Sequence, residues 1–102
     1  MSYIVTNRVF VTDEYAEEFE RRFRKRASEV DKQPGFVAMR VLRPQRNQAP
    51  YVVVTEWDDQ QAFRDWVNSD DFKKAHSNPM PQEAFREGDG IEQFNVIIDA
   101  RR

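Results

Sequence analysis

The stretch that decides the fold is YVVVTEW, which runs from Tyr51 to Trp57. β-Branched and aromatic residues dominate it, and it contains no glycine or proline, which is typical of a strand. Because its apolar run is unbroken, we expect this strand to lie in the centre of a sheet. Residues 46–50 precede it and form a polar connection of hairpin length after Pro44. The stretch therefore predicts an antiparallel partner strand over residues 36–43.

A further strand and a long helix are predicted on the N-terminal side of this pair. Residues 3–11 have the composition of a strand and contain no breaker. Thr12 and Asp13 can cap the helix that follows, and Pro34-Gly35 ends it before the second strand. The apolar residues of this helix recur at helical spacing: Tyr15, Phe19, Phe23 and Val30.

Two shorter helices and a last strand are predicted after Trp57. Asp58 and Asp59 can cap the first of these helices, and Ser69 can cap a short one that runs through His76. Residues 77–90 contain two prolines and two glycines and form a long connection, with room for one helical turn around residues 83–86. Residues 91–100 form the predicted last strand.

The order of these elements is β-α-β-β-α-β, which predicts an α+β fold of the ferredoxin-like type. We expect one domain over residues 1–102, an antiparallel sheet, and helices on one face of it. The other face would expose apolar side chains from residues 52–54 and from Ile97, and such a patch usually belongs to an interface. The pattern therefore predicts a two-fold homodimer with packed sheets, a dimeric α+β barrel.

Composition excludes several classes of function. The chain has 102 residues, a net charge of −2, 33% charged residues and no cysteine, so it has neither a disulfide nor a thiolate nucleophile. No apolar run approaches the ~18 residues of a membrane span, and the N-terminus does not begin a signal peptide. Since the charge is nearly balanced, we expect no nucleic-acid partner. A small cytoplasmic protein is predicted.

Two arginines interrupt the apolar stripe of the first helix. At about 100° per residue, Arg22 and Arg26 fall roughly 60° and 20° from Phe19, inside the stripe, whereas Arg21, Arg24 and Lys25 point to solvent. One interpretation is that the two guanidinium groups extend along their stems to water. The other is that they meet an anion at the mouth of an apolar cavity.

Three further residues have both a structural and a functional interpretation. Asn7 shares a strand face with Tyr3, Val5 and Val9, so its amide needs a cross-strand partner, water at a sheet edge, or a ligand. Trp66 has the spacing of a core residue. His76 is the only histidine. One histidine without cysteines provides too few ligands for a zinc site built by the protein, but a single imidazole can hold a haem iron.

These residues together resemble a known family. The segments that carry the resemblance are Asn7-Arg8, Arg21-Arg22-Phe23 with Arg26, Pro34-Gly35-Phe36, Leu42-Arg43-Pro44, Tyr51–Trp57, Ala62-Phe63-Arg64-Asp65-Trp66 and Ala75-His76. They are similar to those of the IsdG-type haem-degrading monooxygenases, in the antibiotic biosynthesis monooxygenase superfamily, and most of all to the MhuD branch. The resemblance covers about residues 3–99, and the sequence departs from it mainly at residues 77–90.

The resemblance implies a role for each candidate residue. His76 would be the haem-iron ligand, Asn7 the hydrogen-bond donor on the other side of the iron, and Trp66 the residue that distorts the macrocycle. Arg22 and Arg26 would lie near the haem propionates, and Phe23 would line the pocket. Haem would be both substrate and oxygen-activating cofactor, with electrons from a separate reductase, because the chain has no flavin or nicotinamide motif.

Three other functions remain open on the sequence alone. The same pocket could carry or sense haem without turnover. The chain could instead be a cofactor-independent oxygenase of quinol type, although asparagine, tryptophan and histidine at these relative positions separate the haem-degrading branch from such relatives. It could also be an interaction domain without enzymatic activity.

Overall fold

The computed structural model describes residues 2–85 and 90–102, and its elements follow the predicted order. Within those residues, no helix is both long and apolar enough to cross a membrane. The elements are β1 (Tyr3–Val9), α1 (Ala16–Val30), β2 (Phe36–Leu42), β3 (Tyr51–Trp57), α2 (Gln60–Val67), α3 (Asp70–Ala75) and β4 (Gly90–Asn95), with 3₁₀ turns at Asp13–Tyr15 and Gln82–Ala84.

The four strands form one antiparallel sheet in the order β2-β3-β1-β4. β3 lies inside the sheet, as its apolar run predicts, and β1 is the other central strand. The buried residues of β1 and β3 alternate along each strand and pack against Phe19 and Val30 of α1. The predicted α+β ferredoxin-like fold, with helices on one face, is therefore confirmed.

Two predicted helix starts are confirmed, and one is not. The carboxylate of Asp59 accepts a hydrogen bond from the backbone N–H of Ala62 at 2.8 Å, and Ser69 Oγ accepts from Phe72 N at 3.1 Å. The side chain of Thr12 makes no capping bond, and a 3₁₀ turn precedes α1. The reason is tertiary, because the backbone N–H of Thr12 donates to the carbonyl of Ala84, 2.7 Å away, and the chain is already fixed there.

The first and the last strand of the chain are both shorter than predicted. β1 ends at Val9 instead of residue 11, and Val11 makes only an isolated bridge with Phe85. β4 ends at Asn95 instead of residue 100, because Asn95 pairs with Tyr3, where β1 begins. The residues beyond have no strand beside them in a single chain, and Ile97 and Ile98 are 78% and 81% exposed.

Three smaller boundaries also differ from the prediction. β2 ends at Leu42, one residue early. α3 ends at Ala75, so His76 is its C-terminal cap and not its last helical residue. The turn expected around residues 83–86 is the 3₁₀ turn Gln82–Ala84, and residue 86 lies outside the described residues.

Gly35 makes the sharp entry into β2 possible. Its φ of 78° lies in the left-handed region, which glycine adopts without steric cost. A Cβ at this position would come within 2.5 Å of the Cβ of Ala62. Its carbonyl accepts a hydrogen bond from the N–H of Asp58 at 2.8 Å, and this bond links the start of β2 to the start of α2.

The core is divided into two clusters on the inner face of the sheet. Met39 of β2 packs against both clusters, and along β1 Asn7 lies between Val5 of one and Val9 of the other. The members of the first cluster are Val9, Val11, Phe19, Tyr51, Val53, Met80 and Ala84, and those of the second are Tyr3, Val5, Val30 and Trp57.

Glu20 links α1 to the sheet, and its ionisation should make the free energy of unfolding depend on pH. Its carboxylate accepts hydrogen bonds from Arg43 Nε at 2.7 Å and from Tyr51 Oη at 2.5 Å. These two hydrogen bonds, of which the one from Arg43 has the larger effect, lower the pKa of Glu20 from 4.5 to about 2. A carboxyl group whose pKa is lower in the folded state stabilises it above the unfolded pKa, and loses that effect as the pH falls from 4.5 to about 2.

We therefore expect Glu20→Gln to lower the free energy of unfolding by about 1 kcal/mol at pH 7, since water screens the partly exposed pair. The difference from wild type should shrink as the pH approaches 2, as measured by urea unfolding at several pH values. Glu17→Gln is the matched control, because Glu17 is exposed on the same helix and has no ion pair among the described residues. Equal stability of the two variants at pH 7 would contradict this role.

Candidate active site

A cavity of about 660 Å³ lies between the inner face of the sheet, α1 and the α2–α3 segment. Its volume is in the range of small-molecule sites, roughly 300–1,000 Å³. Its wall includes members of both core clusters, such as Val5 and Val9, so the cavity occupies the division between them. All six residues singled out from the sequence line it: Asn7, Arg22, Phe23, Arg26, Trp66 and His76.

Asn7 places an unpaired polar atom on the sheet wall of this cavity. It lies opposite Val53 of β3 and Ile91 of β4, so it is on a central strand and not at an edge. Its Oδ1 is buried and has no hydrogen-bond partner in the described part of the chain. Leaving such an atom unpaired costs about 1–3 kcal/mol. Neither an edge position nor a cross-strand bond accounts for this oxygen, so it is available to a group in the cavity.

His76 stands at the C-terminal end of α3 with one ring nitrogen engaged. Its Nδ1 lies 2.9 Å from the carbonyl oxygen of Phe72, and because a carbonyl only accepts, Nδ1 must carry the proton. A neutral imidazole protonated at Nδ1 has its lone pair on Nε2, where metals bind, and metal-ligating histidines usually donate in this way. The ring is exposed and lines the cavity, so it is not a buried structural histidine.

The two arginines differ in how far the protein already satisfies them. Arg22 forms an ion pair with Glu18 at 3.3 Å and donates to the backbone carbonyl of Asn78, so it ties α1 to the segment after α3. Arg26 has no ion pair within residues 2–85 and 90–102, and its guanidinium carbon lies 4.8 Å from the ring centroid of Phe23. Burial lowers the pKa of Arg26, and the positive charge of Arg22 lowers it further.

Arg26 is therefore the cation that an anionic ligand would compensate. Glu29 raises the pKa of Arg26 but forms no ion pair with it. A half-buried guanidinium without a paired carboxylate is costly, and a ligand carboxylate would match it with two parallel hydrogen bonds. The sequence assigned Arg22 and Arg26 to the same task, but the structure distinguishes them.

Trp66 contributes both to the core and to the cavity wall. It stacks on Trp57, which is fully buried, with ring centroids 6.4 Å apart and an angle of 27° between the planes. It also meets Phe72 edge to face at 5.4 Å. Trp66 therefore packs in the core, as its spacing predicts, and also lines the cavity.

The wall also contains residues that were not predicted from the sequence, and Phe72 and Met80 are two of them. Phe72 lies beneath His76, and the spacing of four residues between them was the available signal. Met80 is buried against the first core cluster and also lines the cavity, although it lies in a proline-containing connection without a periodic pattern. No sequence signal indicated that this connection turns inward.

The fold and the cavity define a class, a ferredoxin-like α+β domain with a ligand-sized cavity between its sheet and its helices. Residues 2–78 match the antibiotic biosynthesis monooxygenase family, and the chain belongs to this family.

The similar proteins are of two kinds, haem-degrading enzymes and a cofactor-independent oxygenase. The chain is 32% identical over 103 residues to a "heme oxygenase (mycobilin-producing)" of Mycobacterium tuberculosis (strain CDC 1551 / Oshkosh), covering 97% of this chain and 92% of that one. A solved structure of a heme-degrader, MhuD, from Mycobacterium tuberculosis has two hemes bound in its active site. It matches with a TM-score of 0.79 at 30% identity and covers 97% of this chain and 99% of that one.

The second kind is represented by SnoaB, a cofactor-independent oxygenase from Streptomyces nogalater. It matches with a TM-score of 0.79 at 25% identity and covers 99% of this chain and 98% of that one. The predicted resemblance is confirmed. Because the two TM-scores are equal, these matches do not distinguish the two kinds of enzyme, and the side chains of the cavity must decide between them.

Proposed function

We propose that this protein is a haem-degrading monooxygenase, which binds haem in the 660 Å³ cavity and opens the porphyrin ring with O₂ and external electrons, releasing iron. The observation that carries the proposal is one cavity that combines a largely apolar wall, an imidazole whose Nε2 makes no hydrogen bond in the described part of the chain, and a guanidinium group without an ion pair there. The identity of 32% to a heme oxygenase supports it.

Each chemical feature of haem has a matching group in the wall of the cavity. Haem is a flat apolar macrocycle with two carboxylates and an iron that takes axial nitrogen ligands. Phe23 and Trp66 offer aromatic surface to the macrocycle, Arg26 offers a fork to a carboxylate, and His76 offers Nε2 to the iron. When bound, haem supplies the iron that activates O₂ and the carbon that is oxygenated.

The chain's own residues then bind, orient and exclude water. His76 holds its proton at Nδ1 on the Phe72 carbonyl, which keeps Nε2 available as a ligand. Asn7 supplies a polar group on the sheet wall, whereas His76 lies at the end of α3, so the two act from different walls of the cavity. The apolar residues between them limit the access of water to the reacting atoms.

Aerobic reduction of the haem-loaded protein tests this function. We expect ascorbate in air to bleach the haem absorption and to yield a linear tetrapyrrole with released iron, measured by absorption and mass spectrometry. A haem band that persists through reduction would identify a carrier or sensor and contradict the proposal. Failure to bind haem would favour the cofactor-independent chemistry of the SnoaB branch.

Removal of the Arg26 charge should weaken haem binding. Arg26→Gln deletes a charge-assisted contact with a haem carboxylate, and we expect the Kd for haem to rise about 10-fold or more, about 1.5–3 kcal/mol. The control is Lys25→Gln, which removes a charge from the exposed side of the same helix. An equal Kd in both variants would contradict this role. It would support the other interpretation, in which the side chain of Arg26 extends to water.

The proposal includes a homodimer and a separate reductase. The outer face of the sheet carries exposed Leu42 and Phe94, and the segment after β4 exposes Ile97 and Ile98. A second copy would cover these side chains with a self-complementary surface. Electrons would come from a separate reductase. Sedimentation equilibrium at micromolar protein should give the mass of a dimer, and a monomer mass would contradict this part.

A further inference from the structure

Phe72 joins three parts of the cavity wall. Its backbone N–H donates to Ser69 Oγ at the start of α3, and its carbonyl accepts from His76 Nδ1. Its ring lies against the ring of His76 with centroids 4.1 Å apart and planes 29° from parallel. On the other side, the ring of Trp66 meets it edge to face, with centroids 5.4 Å apart. Phe72 thus contacts two of the side chains that the proposed function assigns to haem, His76 and Trp66.

We propose that Phe72 is a positioning residue, which fixes the tautomer and the ring plane of His76. Its ring also packs against Trp66, so that the three side chains keep their relative positions. The haem-dependent consequences rest on the proposed function, whereas the consequences for the imidazole concern the protein without haem. Phe72 itself is not a catalytic residue, because its effect passes through its two neighbours.

The need for such a support follows from where His76 lies. It follows the last residue of a helix of only six residues, Asp70–Ala75, with φ −105° and ψ 13°, outside the regular helix. Short helices are marginal without tertiary contacts. The His76 ring is exposed, and its hydrogen bond and its ring-to-ring contact in the described structure are both with Phe72. Without the stacked ring, the imidazole could rotate and lose its bond to the carbonyl.

NMR of the haem-free protein tests this directly. Because the chain has one histidine, long-range ¹H–¹⁵N spectra contain a single imidazole, and at pH 8 they report which nitrogen carries the proton. We expect the Nδ1–H tautomer in wild type and in Phe72→Tyr, which keeps the aromatic ring. In Phe72→Leu we expect a shift toward the Nε2–H tautomer that free imidazole favours.

A matched control separates support of the imidazole from filling of the core. Phe36 is half-buried and packs edge to face on Trp57, with centroids 5.5 Å apart, away from the cavity. Phe36→Leu therefore removes an equivalent ring and should leave the tautomer unchanged. If Phe72→Leu keeps the wild-type tautomer, the proposal is overturned. Should Phe72→Leu not fold, an Nε2–H tautomer in wild type would overturn it equally.

The haem-loaded protein gives a second readout. Outer partners of a metal ligand typically change affinity about 10–100-fold, so we expect a haem Kd at least about tenfold higher in Phe72→Leu than in Phe36→Leu, with Phe72→Tyr close to wild type. If wild type binds no haem, the proposed function fails, while the tautomer measurement still decides the role of Phe72.

Discussion

Replacement of His76 by alanine should abolish ligation of the haem iron. The chain has no second histidine and no cysteine, so no other imidazole or thiolate can take its place. We expect the absorption band of ligated haem to be lost and the Kd to rise by about 100-fold or more, at the upper end of the effects of ligand-shell changes. Absorption and electron paramagnetic resonance spectra of the haem-loaded variant provide the measurement.

Two controls sharpen this prediction. Lys74→Ala removes an exposed side chain of the same short helix and should leave ligation intact. Added imidazole should restore an axial nitrogen in His76→Ala, because the substitution leaves space beside Phe72. A wild-type spectrum in His76→Ala would show that another group holds the iron and would remove His76 from the site.

Asn7→Ala should separate turnover from stability. Its buried Oδ1 has no partner in the described structure, so truncation removes an unpaired polar group and should leave the protein as stable as wild type or slightly more stable. The proposed role of Asn7 uses the other atom of the amide, Nδ2, as a donor to the reacting ligand, and we expect its loss to reduce the rate by about 10²–10³-fold. Thermal unfolding, haem titration and aerobic turnover of one preparation measure all three quantities.

The neighbouring residue provides the control for Asn7. Thr6 faces the opposite side of β1, where it pairs with Val54, and Thr6→Ala should not affect turnover. A stabilised Asn7→Ala with undiminished turnover would remove Asn7 from the mechanism. Lower stability with normal turnover would indicate that the amide has a structural partner in solution.

The sequence predicted the fold well where local chemistry determines it. The apolar run of Tyr51–Trp57 determined a central strand, and Pro34-Gly35 determined the turn into β2. The caps at Asp59 and Ser69 follow from the preference of these side chains for helix starts. Asn7 lies on the face that alternation assigned to it.

The sequence failed where the answer depends on a distant part of the chain. β4 ends where its partner β1 begins, at Tyr3, and no property of residues 96–100 shows this. Arg22 and Arg26 occupy equivalent positions on the helix, yet only Arg22 meets the carbonyl of Asn78. The division of the core around a cavity also depends on how α1 and the α2–α3 segment pack on the sheet, which helical periodicity does not specify.

The central claim is that the cavity binds haem through His76, and titration of the purified protein with hemin tests it most directly. The account predicts saturable binding at micromolar hemin, a shifted Soret band characteristic of imidazole ligation, and loss of that shift in His76→Ala. A Soret band that stays at the position of free hemin throughout the titration would contradict it.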